Sequence, residues 1–173
     1  EAQPQVTLPW LVRLRWLAVA GQILAVIVAW ALRLELSFWT LGALVGLAAL
    51  SNLLLATVAS PAARRWGEAR LLGSVMTFDT LLLTALLAGS GGPMNPFTVF
   101  YLVHITLSAV VLSARWAALV AALSFAGFGV LFLLPGAEHA HHAAGLGYHL
   151  QGMWVACVLA AGLTTFFVRQ ITR

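Results

Sequence analysis

The stretch LLGSVMTFDTLLLTALLA, residues 71–88, decides the class of fold, because its only charged side chain is Asp79. A helix needs roughly 20 predominantly apolar residues to cross the hydrocarbon core of a bilayer. In the whole chain 62% of the 173 residues are hydrophobic and 8% are charged, whereas soluble domains carry about 25% charged residues. Water cannot solvate so much apolar side chain, and the sequence therefore predicts an all-α integral membrane protein.

Apolar stretches of similar length flank this one, and together they predict a bundle of six membrane-spanning helices. The predicted spans are residues 16–32, 38–59, 71–88, 97–113, 117–134 and 153–168. Turn-forming residues separate them, at Ser60-Pro61, at 89–96 and at Pro135-Gly136. Residues 1–173 then form one membrane domain, which we expect to be part of a longer protein.

The nine arginines predict how the helices run through the membrane. If the N-terminus is cytoplasmic, only Arg33 lies outside, and the others lie on the cytoplasmic side. These others are Arg13, Arg15, Arg64, Arg65, Arg70, Arg115, Arg169 and Arg173. An excess of arginine in cytoplasmic loops sets topology, so both termini are predicted to be cytoplasmic, in a bacterial inner membrane. Because the arginines are spread between apolar runs, they form no basic face for nucleic acid.

The loop between the third and fourth spans, GSGGPMNPF at residues 89–97, combines permissive and stiff positions. Glycine reaches positive φ and allows a ligand close to the backbone. Pro93 and Pro96 fix their own φ and push Gly92 and Asn95 toward extended conformations. Asn95 and Pro96 are predicted as N-cap and N1 of the fourth helix. The pattern fits a tight turn before a helix, or a niche whose free N–H groups suit carbonyl or anionic oxygens.

Polar side chains also occur inside the predicted spans, at Gln22, Asn52, Asp79 and His104. A charge at the centre of a bilayer costs roughly 2.5–3.5 kcal/mol on insertion scales. Asp79 is therefore expected to face the interior of the bundle, to be protonated or to pair with a donor. The available donors are a protonated His104, Asn52, Gln22 and the hydroxyls of Thr77, Thr80 and Thr84. Hydrogen bonds between helices would equally account for Asp79 and Asn52.

Phe97, Tyr101, His104 and Ser108 recur at helical spacing in the fourth span and share one face. At 1.5 Å per residue, His104 lies about 10 Å below the loop. A planar quinone head group needs donors for its two carbonyls and apolar walls around its ring. The loop and this face would supply both, although such residues also serve as packing between helices.

Histidines concentrate in a second outward-facing loop, at His139, His141, His142 and His149. Histidine binds zinc or copper and titrates near neutral pH. A plain polar loop also fits, because only Glu138 is near and no thiol stands at a fixed spacing. Cys157 is the single cysteine, so it makes no intrachain disulfide and no Cys-based metal site. We predict no metal site.

Gly91-Gly92-Pro93-Met94-Asn95-Pro96-Phe97 resembles the GGxxNPF heptapeptide of the RegB/PrrB/ActS family of redox-responsive sensor histidine kinases. The resemblance continues along the chain in the same order. Residues 14–22 resemble the start of the family's first helix, Phe78-Asp79 its third, and residues 148–154 the entry to its sixth.

The resemblance implies a dimeric six-span domain that binds ubiquinone, or another quinone, at the loop. It also implies that oxidised quinone lowers the output of a cytoplasmic kinase, whose partner is a response regulator. The quinone-binding residues would be Gly91, Gly92, Pro93, Asn95, Pro96 and Phe97, and helical spacing adds Tyr101 and His104. Residues 1–173 themselves contain no nucleotide loop, paired acids or catalytic triad, so this part is not predicted to be an enzyme.

Two other classes of function stay open. Asp79 and His104 would suit a proton or ion relay in a small transporter, which an internal inverted repeat would favour. Alternatively, His104 and the loop histidines would suit a membrane haem or metal protein. Because only His104 lies inside a span, a bis-histidine haem would need a dimer partner to supply the second histidine.

Overall fold

The structure, a computed structural model, describes residues 8–33 and 36–134, without the side chains of residues 8 and 58–66. These residues form five α-helices and no strand. The helices are α1 Leu8–Ala31, α2 Phe38–Trp66, α3 Glu68–Ala88, α4 Phe100–Val111 and α5 Ala114–Leu131. Two short 3₁₀ segments, Gly92–Met94 and Pro96–Val99, connect α3 with α4. The predicted all-helical fold is confirmed for this part of the chain.

Most of the helices are long and apolar enough to cross a bilayer. Four segments meet this condition in the described residues, namely Pro9–Ala31, Phe38–Thr57, Glu68–Ala88 and Ala114–Leu131. The fourth predicted span corresponds to the shorter segment Pro96–Val111, which is about 26 Å long at the rises of 3₁₀ and α-helix. The predicted sixth span, the histidine-rich loop and Cys157 lie outside the described residues.

Two helices extend beyond the predicted spans. Helix α1 begins at Leu8, well before residue 16, because Arg13 and Arg15 continue the helix instead of preceding it. Helix α2 does not end at Ser60-Pro61 but runs on to Trp66, since a proline removes only one backbone donor and membrane helices accommodate that loss. The helix ends instead at Gly67, whose φ of 83° suits glycine.

The chain divides after Val75 into two compact units. In the first unit α1 packs against α2. Buried residues recur every three or four positions along α2, at Leu41, Val45, Ala48, Asn52 and Leu55. This spacing places them on one face of the helix. Leu11, Arg15 and Val19 form a similar buried row on α1.

In the second unit α5 folds back along α4 after the extended residues Leu112 and Ser113. Tyr101, near the start of α4, therefore meets Phe128, near the end of α5, with ring centroids 6.3 Å apart. Leu87, Tyr101 and Leu131 form a buried cluster, against which Leu83 and Phe97 pack. This cluster lies directly beside the 3₁₀ connection.

Large apolar side chains are exposed along several helices and just after α5. Trp39 is 92% exposed, Leu133 82% and Phe125 71%. Lipid is the natural solvent of such a surface, which agrees with the membrane class predicted from composition.

Candidate functional site

The glycine-proline loop is a compact turn with two residues in the left-handed region. Gly91 has a φ of 119° and Gly92 a φ of 61°. The N–H of Asn95 donates to the carbonyl of Gly92 at 3.1 Å and closes one 3₁₀ turn. The predicted use of glycine for positive φ is confirmed, but the prediction that Gly92 is extended is wrong. The steric clash that precedes proline involves Cβ, which glycine lacks.

The side chain of Asn95 makes hydrogen bonds on both sides of the loop, to Phe97 and to Ser90. Its φ of −66° and ψ of 124° are extended, and its Oδ1 accepts from the N–H of Phe97 at 2.9 Å. The predicted N-cap is therefore confirmed, with Pro96 at N1 of a 3₁₀ first turn. Its Nδ2 donates to the carbonyl and to Oγ of Ser90, at 2.8 and 2.7 Å. We call these two bonds the Asn95–Ser90 latch; they fasten the loop to the end of α3.

Phe97 places an aromatic ring between the loop and the buried cluster. It is partly buried and packs against Leu87, Tyr101 and Leu131. Its ring stacks with that of Phe100, with centroids 5.8 Å apart and planes 28° apart. The sequence placed Phe97 and Tyr101 on one face, and the structure brings them together.

Tyr101 is only 4% exposed, and its hydroxyl lies 2.7 Å from Oγ1 of Thr84. Since the Thr84 hydroxyl donates to the carbonyl of Thr80 at 3.0 Å, the Tyr101 hydroxyl is the donor of this pair. The phenol thus ties α4 to α3 and presents no free hydrogen to a ligand.

Gly127 of α5 makes this close approach possible. A Cβ at this position would lie 2.5 Å from Oγ1 of Thr84 and 3.0 Å from the hydroxyl of Tyr101. Beside it, Phe128 and Phe132 pack edge to face, with centroids 5.2 Å apart. Both rings are more than a third exposed. Phe128 and Phe132 therefore form an exposed aromatic surface, which we call the aromatic wall.

His104 lies further along α4 and is partly buried. Its Nδ1 is 3.0 Å from the carbonyl of Phe100. A carbonyl only accepts, so Nδ1 carries the hydrogen and, in the neutral ring, Nε2 carries the lone pair. Nε2 makes no hydrogen bond with the described residues. Ser108, on the same helix, is fully buried and donates to the carbonyl of Ile105 at 2.8 Å.

The other intramembrane polar residues lie in different surroundings. Nδ2 of Asn52 donates to the carbonyl of Val12 at 3.0 Å, and Oδ1 accepts from Arg15 at 3.4 Å. Arg15 also donates to Oγ of Ser51 at 2.8 Å. Asp79 is partly buried in α3. The buried Oε1 of Gln22 and Oγ1 of Thr77 have no hydrogen-bond partner among the described residues.

The described residues contain no group of three or more His, Cys, Asp or Glu side chains that could hold a metal ion. The histidines between residues 139 and 149 lie outside them.

Sequence reasoning missed several residues that shape the site. Ser90 and Gly127 carried no local signal, because each matters only through a neighbour on another element. Thr84 was named only as a possible donor to Asp79, and its observed partner is Tyr101. Arg15 was interpreted only as a topology signal, yet it is buried and bonded to α2.

Comparison with curated proteins finds a relative of the chain. The chain is 35% identical over 128 residues to the sensor histidine kinase RegB of Cereibacter sphaeroides. The match covers 72% of the chain and 27% of that kinase, so the chain spans about a quarter of its relative's length. No family model matches the chain, and no solved structure matches it at a significant level.

Proposed function

Because the chain belongs to the RegB family of sensor histidine kinases, we propose that it is the membrane domain through which such a kinase senses the redox state of a quinone. It is a multi-pass membrane domain, and the proposed topology is six spans with cytoplasmic termini in a bacterial inner membrane. The longer protein would autophosphorylate, transfer the phosphoryl group to a response regulator and act as a homodimer.

The observation that carries the proposal is a fixed loop beside an aromatic wall. For the backbone N–H groups of Gly91 and Gly92, no strong hydrogen bond to the described residues is seen. Such groups suit a quinone carbonyl. The paired rings of Phe97 and Phe100, and those of Phe128 and Phe132, offer aromatic surface that suits the planar head group. The exposed apolar surface around them suits its lipid tail.

In this proposal Asn95 positions the site instead of contacting the ligand, because both its amide hydrogens go to Ser90. Pro93 and Pro96 stiffen the same turn. Tyr101 likewise has a supporting role, because it packs against Phe128 and is held by its hydrogen bond to Thr84.

The signal would pass through helices that the site already joins. The Asn95–Ser90 latch connects the loop to α3, and the contact of Tyr101 with Thr84 connects α3 to α4. A ligand shifts such helices only by the difference in its affinity for two arrangements. Redox sensing therefore requires oxidised and reduced quinone to bind differently, and the predicted sixth span would carry the shift toward the kinase.

The test is a titration of a short-chain ubiquinone analogue against the purified chain in detergent. Phe97→Leu, which keeps apolar volume but removes the ring, should weaken binding about five- to tenfold. Phe125→Leu is the matched control, because Phe125 is 71% exposed on α5, and it should bind as the wild type does. Unchanged affinity in Phe97→Leu would remove the loop from the site.

A further inference from the structure

Two arginines of α1 stand two residues apart, and the turn of the helix places them on opposite faces. Arg15 is 7% exposed and donates to the side chains of Ser51 and Asn52 on α2. Arg13 is exposed, and its guanidinium makes no hydrogen bond or ion pair with the described residues. Arg13 is therefore a cation that the described part of the chain leaves without a counter-ion.

Arg13 lies within the apolar part of the α1–α2 pair and not beyond it. On its own helix it is four residues, or about 6 Å, inside the start of the apolar segment Pro9–Ala31. The neighbouring helix gives a similar depth. Val12 is bonded to Asn52, which lies five residues, or about 8 Å, inside the end of the apolar segment Phe38–Thr57. A charged side chain at this depth extends along the helix toward the nearer interface.

The side chains that follow Arg13 along α1 form an exposed apolar surface. Trp16 is 43% exposed, Leu17 57% and Leu24 61%. They stand three, four and eleven positions after Arg13, so they share its face of the helix. Ala20 is exposed on the same face, and its small side chain leaves a shallow recess between the two leucines. We call these five residues the outer face of α1.

The chemistry of the outer face of α1 changes along the helix as that of a phospholipid does. A guanidinium binds phosphate oxygens through two parallel hydrogen bonds. Tryptophan favours the depth of the lipid head groups, and the leucines offer an apolar path for an acyl chain. The charge of this region selects among head groups. Glu68 is the only acidic side chain in the described part of the first unit, so a lipid with a net negative charge is favoured over a zwitterionic one.

We propose that the outer face of α1 binds an anionic phospholipid, whose phosphate contacts Arg13 and whose acyl chain lies along Trp16, Leu17 and Leu24. With the proposed topology this lipid belongs to the cytoplasmic leaflet. The two arginines then have different partners, since Arg15 holds α1 to α2 and Arg13 holds α1 to the lipid. The lipid site lies in the first unit and does not depend on quinone binding.

The test is native mass spectrometry of the full chain in detergent, with dioleoylphosphatidylglycerol and dioleoylphosphatidylcholine, which share their acyl chains. The wild type should bind the phosphatidylglycerol about fivefold more tightly. Arg13→Gln should abolish this preference, and Arg13→Lys, which keeps the charge but not the paired hydrogen bonds, should retain part of it. Arg33→Gln is the matched control, because it removes the same charge from an exposed arginine just after α1, and it should keep the preference.

Four results would overturn the proposal. The first is equal affinity of the wild type for the two lipids. The second is an intact preference in Arg13→Gln with an unchanged unfolding temperature; if that variant does not fold, an intact preference in Arg13→Lys has the same meaning. An equal loss in Arg33→Gln would show that net charge, and not a site, selects the lipid. Displacement of the lipid by inorganic phosphate would identify the ligand as a free anion.

Discussion

Two clusters of polar side chains lie within these apolar helices, and they are built differently. Between α1 and α2, Arg15 and Asn52 are buried, and Asn52 bonds both to Arg15 and to the backbone of α1. Around the loop, Asn95 and Tyr101 are also bonded to neighbouring elements, but two backbone N–H groups of the loop show no strong hydrogen bond, and Nε2 of His104 has no partner in the described residues. A polar residue within a membrane helix is therefore weak evidence for a ligand site, and leftover hydrogen-bonding capacity beside an accessible wall is better evidence.

The largest expected effect is on the junction of α1 and α2. Asn52→Leu should lower the free energy of unfolding by about 3 kcal/mol, because it removes the hydrogen bonds that Asn52 makes with Arg15 and with the carbonyl of Val12 in a buried position. Thermal unfolding in detergent measures this. Ser51→Ala should lower stability less, because Arg15 keeps its hydrogen bond to Asn52. Both variants should bind quinone as the wild type does. Loss of quinone binding in Asn52→Leu under conditions where it stays folded would contradict the division between the clusters.

The next effect concerns the packing behind the aromatic wall. Gly127→Ala should destabilise the chain by about 2 kcal/mol, because its Cβ would overlap Thr84 and press on Tyr101. Gly129→Ala, with nothing within 4 Å of the added Cβ, should stabilise α5 slightly. Equal unfolding temperatures for the two variants would show that the close approach at Gly127 is unimportant.

A smaller loss of stability should follow from breaking the hydrogen bond between Thr84 of α3 and Tyr101 of α4. Thr84→Val and Tyr101→Phe should each cost about 1 kcal/mol, since each removes one partner of the same buried hydrogen bond. In a double-mutant cycle the two losses should not add. Full additivity in the unfolding free energies would mean that the two hydroxyls act independently.

The smallest change in stability, but a clear change in binding, is expected at the latch. Asn95→Ser keeps an acceptor for the N–H of Phe97 but cannot reach Ser90 as the amide does. Because the latch is only partly buried, water can replace its two hydrogen bonds, so the variant should lose less than about 1 kcal/mol of stability. It should bind the ubiquinone analogue several-fold more weakly. Wild-type affinity in this variant would mean that the latch does not position the site.

The sequence predicted those features that depend on neighbouring residues or on hydropathy. The N-cap at Asn95 and the positive φ of the glycines needed only the local order of residues. The lengths of the apolar runs were enough to predict the four helices that are long and apolar enough to cross a bilayer. The sequence did not predict features that depend on contacts between residues far apart in the chain. Nothing near Arg15 indicates that its side chain is buried against α2, and nothing near Gly127 indicates that Thr84 and Tyr101 crowd it. At Pro61, a local rule for helix termination was overridden by the continuation of α2 to Trp66.

Photoaffinity labelling with an azido-ubiquinone, followed by mass spectrometry of the labelled peptides, tests the central claim most directly. The proposed site predicts label between residues 89 and 104 or on Phe128 and Phe132 of α5, and competition by an unlabelled ubiquinone analogue. Label confined to α1 and α2, in the region of Arg15 and Asn52, would contradict it.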